Sequence, residues 1–139
     1  MQSCPIRGDS VSPTALFVYG TLMPGQRAHD LVAAHVASAQ PATTDGWLYA
    51  FPAGYPGLLD RPGHRVHGWV LELLRPAEVL PVLDRYEGDD YVRGIRAIAL
   101  SDDRSIDAWC YRLADPALIA GAEPIPSGSW IQYQQRTEV

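Results

Sequence analysis

The sequence contains no lysine, and all 11 basic residues in its 139 positions are arginines. This absence excludes a Schiff-base lysine, as in pyridoxal phosphate or aldol chemistry, and the phosphate-binding lysine of P-loop proteins. With 16 acidic residues the formal net charge is −5, and no run of basic residues stands out. A surface for nucleic acid normally needs a positive stripe, so no nucleic-acid partner is predicted.

Cysteine and long apolar runs are also scarce. Cys4 lies in a polar N-terminal segment and Cys110 in a strand-like run, which does not make a disulfide framework and indicates a reducing compartment. The longest apolar runs fall well short of the ~18 residues that span a bilayer, and the first ten residues lack the apolar centre of a signal peptide. The sequence therefore predicts a cytoplasmic protein with no membrane partner.

Known catalytic and metal-binding spacings are missing as well. The four histidines match no HExxH arrangement and are far in sequence from both cysteines, so neither a metal nor another cofactor is predicted. No GxSxG nucleophile turn is present. Asp84 and Glu87 would lie on adjacent turns of one helix, whereas a glycosidase pair flanks a bond from opposite sides. The four histidines are His29, His35, His64 and His67.

What is present indicates one compact α+β domain. At 139 residues and 47% hydrophobic, the chain is long enough for one core and too short for two ordinary domains. Residues 1–14 are predicted to be a flexible leader and residues 15–139 a single domain. Because strands outnumber helices, a mixed or partly closed sheet is favoured. Strands are predicted at 15–19, 43–51, 66–74, 92–100 and 106–113, helices at 27–39 and 76–86, and a turn-rich loop at 52–57.

The second predicted helix has clear start and stop signals. Pro76 suits the first helical position and Gly88 suits the end, with an apolar stripe between them. Pro81 removes a backbone hydrogen bond and is expected to kink or split the helix.

Residues 15–26, ALFVYGTLMPGQ, run from an apolar strand into a turn. Gly20 follows the strand at a point where a side chain would hinder close approach to the backbone. Two interpretations stay open here. Gly20 either ends a buried strand, or it allows the amide N–H groups after the strand to bind a ligand.

Residues 83–93, LDRYEGDDYVR, crowd charges and tyrosines around a predicted helix end. Glu87 falls in the last turn, where the helix carbonyls and the flanking Tyr86 and Tyr91 are expected to raise its pKa. A carboxylate tuned towards neutrality suits general acid–base catalysis. The alternative is a solvated glutamate beside a capping glycine.

Together the two segments resemble the γ-glutamylcyclotransferase family. FVYGTL followed some sixty residues later by LDRYEG and Tyr91 is the main likeness, closer to the γ-glutamylamine cyclotransferase and AIG2-like branch. Further pieces match in order: YPG at 55–57, HGWVLEL at 67–73, AWCYRL at 108–113 and GSW at 128–130. The resemblance extends from Leu16 to about Trp130 and implies a mixed, partly closed β-barrel with a few flanking helices.

The resemblance also implies an activity and a site. Family members release 5-oxoproline and a free amine or amino acid from a small γ-glutamyl compound, because the substrate's α-amine attacks its own γ-carbonyl. The family's catalytic glutamate corresponds to Glu87. Its substrate-binding residues correspond to Tyr19, Gly20, Thr21 and Leu22, with Pro56 at the pocket rim and Tyr91 and Tyr111 as walls or hydroxyl donors.

One departure bears on the substrate. Met23 and Pro24 stand where a basic residue is common in the similar branch, so any substrate contact from that side chain is lost. The alternative function is a non-catalytic domain that keeps the pocket and binds a small acidic metabolite or a protein partner. The leaving amine and the oligomeric state are not determined by the sequence.

Overall fold

The structure is a computed structural model that describes residues 13–137. Most of the predicted leader and Cys4 lie outside these residues. Within the described part of the chain, no helix is long and apolar enough to cross a membrane. The strands and helices are β1 (Ala15–Val18), β2 (Val36–Asp45), β3 (Trp47–Phe51), β4 (Tyr55–Leu59), β5 (Arg65–Leu73), α1 (Pro76–Glu87), β6 (Tyr91–Leu100), β7 (Ser105–Leu113), β8 (Glu123–Pro124) and α2 (Trp130–Thr137).

Five strands close into a barrel in the order β1-β5-β2-β6-β7. Most neighbours are antiparallel, but β1 runs parallel to β7, with Phe17 opposite Cys110, and this pairing closes the barrel. A second sheet has the order β4-β3-β8. The prediction of an α+β fold with a mixed, partly closed barrel is confirmed, and the barrel is closed.

Strand β1 lies in the middle of the core. All four of its residues are buried, because β5 and β7 pair with its two edges and apolar side chains cover it. Leu16 and Phe17 are at most 1% exposed, as is Leu83 of α1, which belongs to the same cluster. A rigid, buried strand therefore holds the segment that follows it, starting at Tyr19.

Helix α1 begins and ends close to the predicted positions. Pro76 occupies the first turn, and Gly88 caps the end with φ 77°, a conformation that glycine adopts at little cost. Contrary to the expected split, the helix continues through Pro81. Pro81 is exposed, so water can take the place of the hydrogen bond that its missing N–H would have made. The continuous helix carries Glu87 in its last turn.

The predicted helix at 27–39 is wrong. Two short 3-10 turns, His29–Leu31 and Ala33–His35, are followed at once by strand β2. Strand β2 pairs with β5 over nearly its whole length, from Val36 to Asp45, and this long-range ladder overrides the helical spacing of the local sequence.

Three further boundaries differ from the prediction. The strand expected at 43–51 is divided at Gly46, whose φ of 152° turns the chain from β2 into β3. The loop expected at 52–57 is shorter, because β4 begins at Tyr55 and pairs with β3. Strand β8 and helix α2 were not predicted. Glu123–Pro124 is too short to show a strand pattern, and Trp130–Thr137 has few apolar residues.

Candidate active site

A pocket of about 290 Å³ opens where β1 ends, beside β4 and the C-terminal end of α1. All eight residues that the sequence proposes for the site lie in its lining, although they come from four separate parts of the chain. The lining consists of Phe17, Val18, Tyr19, Gly20, Thr21, Leu22, Arg27, Tyr55, Pro56, Tyr86, Glu87, Asp90, Tyr91 and Tyr111.

The backbone of residues 20–22 has its carbonyl groups turned away into the neighbouring turn. Their oxygens accept hydrogen bonds from the amides of Met23 and Ala28, at 3.1 and 2.9 Å, and from Nδ1 of His29, at 2.8 Å. Nδ1 of His29 must carry the proton, because a carbonyl can only accept. Within residues 13–137, the amide N–H groups of residues 20–22 have no acceptor. Consecutive free amides of this kind favour a bound anion.

Gly20 is required by the proline that faces it. A Cβ at this position would lie 2.5 Å from Cγ and 2.9 Å from Cδ of Pro56, too close for any side chain. The ring of Pro56 therefore packs directly against the backbone of the loop. Tyr91 fixes the same proline from the other side, because its hydroxyl donates to the Pro56 carbonyl at 2.7 Å.

Three tyrosines of the pocket, Tyr19, Tyr91 and Tyr111, have hydroxyls that donate hydrogen bonds to the protein. Tyr19 donates to the carbonyl of Tyr111 at 2.7 Å and accepts from the amide of Leu58 at 3.1 Å. Tyr111 donates to Asp84 at 2.6 Å. Burial raises the pKa of Tyr19, Tyr91 and Tyr111, so all three stay neutral. This geometry favours the interpretation of Tyr91 and Tyr111 as pocket walls.

Tyr86 links the loop to the helix. Its hydroxyl lies 2.9 Å from Oγ1 of Thr21, so the last turn of α1 is joined to the segment after β1. From sequence, Tyr86 was expected only to flank Glu87 and help raise its pKa. Its place one residue before Glu87 in the LDRYEG segment is the signal that could have indicated this contact.

Of the two carboxylates that line the pocket, Asp90 is exposed and the less accessible one is Glu87. It is partly buried, and within residues 13–137 it accepts no hydrogen bond and forms no ion pair. Desolvation alone raises its pKa from 4.5 to about 7. The sequence predicted this direction from the helix end and the flanking tyrosines. Burial against the pocket wall is the cause that the structure supports, and it makes Glu87 able to accept and donate a proton near neutral pH.

Two other charged residues of the lining were missed by sequence reasoning. Arg27 was assigned to a helix that does not exist, and Asp90 was not singled out. Met23, in contrast, is only 2% exposed and packs in the core, so neither it nor Pro24 lines the pocket. Position 23 therefore does not present its side chain to a ligand in this fold. Within residues 13–137, no three potential metal ligands cluster together.

The arrangement combines three chemical elements. Free amide N–H groups of residues 20–22 can hold a negative charge, and Glu87 can carry a proton near neutral pH. Buried Tyr19, Tyr111 and Pro56 form walls of the space between them. Such a site suits a reaction in which an oxyanion forms while a proton moves between two groups of one small substrate.

Comparison with known proteins gives one family match. The sequence profile described as "Gamma-glutamyl cyclotransferase, AIG2-like" matches residues 16–132, which is most of the chain and includes every residue of the pocket. No curated protein sequence matches significantly.

Solved structures share the fold. YkqA from Bacillus subtilis has a TM-score of 0.72 and 26% identity, over 91% of this chain and 43% of that one, so this chain spans less than half of its length. An AIG2-like protein from mouse has a TM-score of 0.60 and 25% identity, over 75% of this chain and 80% of the mouse chain. A protein specific to uropathogenic Escherichia coli has a TM-score of 0.69 and 23% identity, over 90% and 98% of the two chains.

Proposed function

The chain belongs to the gamma-glutamyl cyclotransferase, AIG2-like family, and from this premise we propose that it releases 5-oxoproline from a small γ-glutamyl compound. The other product is a free amine or amino acid. Glu87 is the proposed general acid and base. The backbone of Tyr19, Gly20, Thr21 and Leu22 is the proposed anion-binding segment.

The reaction needs one carboxylate for both proton transfers. Ionised Glu87 takes a proton from the α-ammonium group of the substrate, and the freed amine attacks the γ-carbonyl carbon. The new C–N bond closes a five-membered ring, and the carbonyl oxygen becomes an oxyanion that the amides of residues 20–22 stabilise. As the oxyanion collapses, the bond to the leaving nitrogen breaks, and Glu87 passes its proton to that nitrogen. The ring nitrogen, which carries two hydrogens after the attack, loses the second through Glu87 to the freed amine, so the products are the neutral lactam ring of 5-oxoproline and an ammonium group.

Two energetic arguments support this mechanism. The attack is intramolecular, so folding the substrate into a reactive geometry removes much of the entropic cost of bringing two groups together. A general acid–base group works best when its pKa is near the working pH, and the pKa of Glu87 is about 7. Pro56, Tyr91 and Tyr111 are proposed to shape the pocket around the folded substrate.

One observation carries the proposal: a carboxylate with no partner and a pKa near neutrality shares a pocket with a segment of unbonded amides. A structural glutamate on a helix end would be solvated or paired. Desolvating a carboxylate without compensation is unfavourable for folding, so this arrangement is typical of a functional group.

The test is to incubate the protein with γ-glutamyl dipeptides, γ-glutamylamines and γ-glutamyl-ε-lysine, and to measure 5-oxoproline chromatographically. We expect release from at least one of these classes. Glu87→Gln should abolish it, whereas Glu78→Gln, the same change on an exposed position of the same helix outside the pocket, should not. Equal activity of the wild type and Glu87→Gln would refute the proposal.

The same assay separates an enzyme from a binding domain. If the pocket binds γ-glutamyl compounds by calorimetry but the wild type forms no 5-oxoproline, the chain is a non-catalytic member of the family. We also propose that residues 15–139 form a single domain and that the protein is cytoplasmic. Limited proteolysis and cell fractionation test these two statements.

A further inference from the structure

Three charged side chains line the pocket, and Arg27 is the cation among them. Glu87 and Asp90 enter from the junction of α1 and β6, and Arg27 enters from the segment after β1. Within residues 13–137, no carboxylate lies within ion-pair distance of Arg27. Five other arginines do have such a partner: Arg65, Arg75, Arg93, Arg96 and Arg104.

Arg27 is fixed at the pocket rim through one of its nitrogens. Nη2 donates to the carbonyl of Gly54 at 3.2 Å, in the turn between β3 and β4. Tyr55 and Pro56, the next residues, also line the pocket. A guanidinium has five N–H groups in a planar fork that matches a carboxylate. One contact to Gly54 orients the group and leaves further donors for a ligand.

Arg27 and Glu87 act on different parts of the pocket. Arg27 is exposed at the rim, where it contacts the β3–β4 turn, whereas Glu87 is partly buried in the last turn of α1. The pocket therefore has an acidic part at the end of α1 and a basic part beside the β3–β4 turn. In the proposed reaction Glu87 reaches both the α-ammonium and the leaving nitrogen, so the remainder of the leaving group extends from there towards the exposed rim.

We infer that Arg27 binds a carboxylate on the amine half of the substrate. This inference rests on the proposed function and narrows its substrate class. The preferred compounds are γ-glutamyl amino acids or peptides, whose leaving part carries a carboxylate beside the released nitrogen. Derivatives of neutral or cationic amines lack this group, so they lose a charge-assisted, bidentate contact.

The test compares γ-glutamyl-L-alanine with γ-glutamylethylamine, which differs only by the absence of the leaving-side carboxylate. For the wild type we expect kcat/KM to be about 10- to 100-fold higher with the dipeptide, mainly through a lower KM. Arg27→Gln should remove this preference, and Arg27→Lys should retain part of it. Arg61→Gln, an exposed arginine outside the pocket, is the control for net charge and should behave like the wild type.

Each other outcome contradicts the inference. If Arg27→Gln weakens both substrates equally, Arg27 binds the α-carboxylate of the glutamyl half. If the variant changes neither, the guanidinium does not contact the substrate. In both cases the proposed function still holds, because the wild type forms 5-oxoproline.

If no 5-oxoproline is formed, the proposed function fails, and a binding measurement still tests the inference about Arg27. Calorimetric titration with γ-glutamyl-L-alanine and γ-glutamylethylamine then tests the carboxylate site directly. Tighter binding of the dipeptide that Arg27→Gln abolishes supports the site, and equal or absent binding refutes it. Thermal unfolding of each variant verifies that it is folded.

Discussion

Asp84 and Glu87 project from the same end of α1, three residues apart, into two contrasting regions. Both carboxylate oxygens of Asp84 accept hydrogen bonds: Tyr111 donates at 2.6 Å, and Arg93 donates through two nitrogens at 2.8 and 3.0 Å. Arg93 also packs over the ring of Trp109, with its guanidinium carbon 4.5 Å from the ring centre. Around Glu87, one turn later, there is no such partner within residues 13–137.

The difference appears in the pKa values of the two carboxyls. The Arg93 hydrogen bonds hold the pKa of Asp84 below its usual range, so it stays ionised. Desolvation raises the pKa of Glu87 to about 7, so it changes charge near neutrality. Asp84 attaches the end of α1 to Arg93 of β6 and Tyr111 of β7. The charge of Asp84 stabilises the structure, whereas the charge of Glu87 is available for proton transfer.

The largest expected effect comes from removing the titrating carboxyl of Glu87. Glu87→Gln keeps the shape of the side chain but carries no proton, so we expect kcat to fall by about 100- to 10,000-fold. Asp84→Asn, the matched change one turn earlier, should reduce kcat far less. Initial rates of 5-oxoproline formation measure both, and a larger loss for Asp84→Asn would reverse the comparison.

The two carboxyls should change the pH dependence of the unfolding free energy in opposite directions. Because the folded pKa of Glu87 is raised from 4.5 to about 7, the fold loses stability as pH rises from about 4.5 to about 7, and the loss stays constant above that range. Glu87→Gln should therefore be more stable than the wild type at pH 8, by up to about 3 kcal/mol, and nearly equal below pH 4.5. Urea unfolding at the two pH values measures this. A constant difference would show that Glu87 is not desolvated.

Asp84→Asn should lower stability, because it removes the charge that binds Arg93. The folded pKa of Asp84 is lowered, so its contribution is present above pH ~4 and is lost as pH falls through the folded pKa. The Asp84 side chain is 42% exposed, and screening limits the expected loss to about 1 kcal/mol at pH 7. Urea unfolding of the wild type and Asp84→Asn should show this difference at pH 7 and its disappearance near pH 2.

The smallest expected effect is at the bond between the loop and α1. Tyr86→Phe removes the hydroxyl that contacts Thr21, and because Tyr86 is 43% exposed we expect a loss below about 1 kcal/mol. KM should rise slightly, since the anion-binding segment is held less firmly. A double-mutant cycle with Thr21→Val measures the coupling, and strictly additive losses would show that the contact contributes nothing.

Several elements could be predicted because their signals are local. Pro76 and Gly88 mark the ends of α1, and an apolar stripe lies between them. Strands β5, β6 and β7 have continuous or alternating apolar residues with turn residues between them. The two motifs around Gly20 and Glu87 were also visible in sequence, as was the upward direction of the Glu87 pKa.

Other features depend on pairing between distant segments. Strand β2 reads locally as a helix in its first residues, and only the ladder with β5 makes it extended. Arg27 shows no distinguishing pattern in sequence, since its place at the rim depends on the turn that contains Gly54. Met23 looked like the residue that alters the substrate, but packing places its side chain in the core.

By itself the sequence determined the family resemblance, the positions of β1, β5, β6 and β7, the limits of α1 and the residue types proposed for catalysis. These depend on neighbours within a few positions, where spacing and backbone preferences act directly. Tertiary structure alone decided that the barrel closes, that Asp84 is paired while Glu87 is not, and that Arg27 faces the pocket. Burial and charge pairing depend on which distant residues come into contact, and a local pattern carries no record of those contacts.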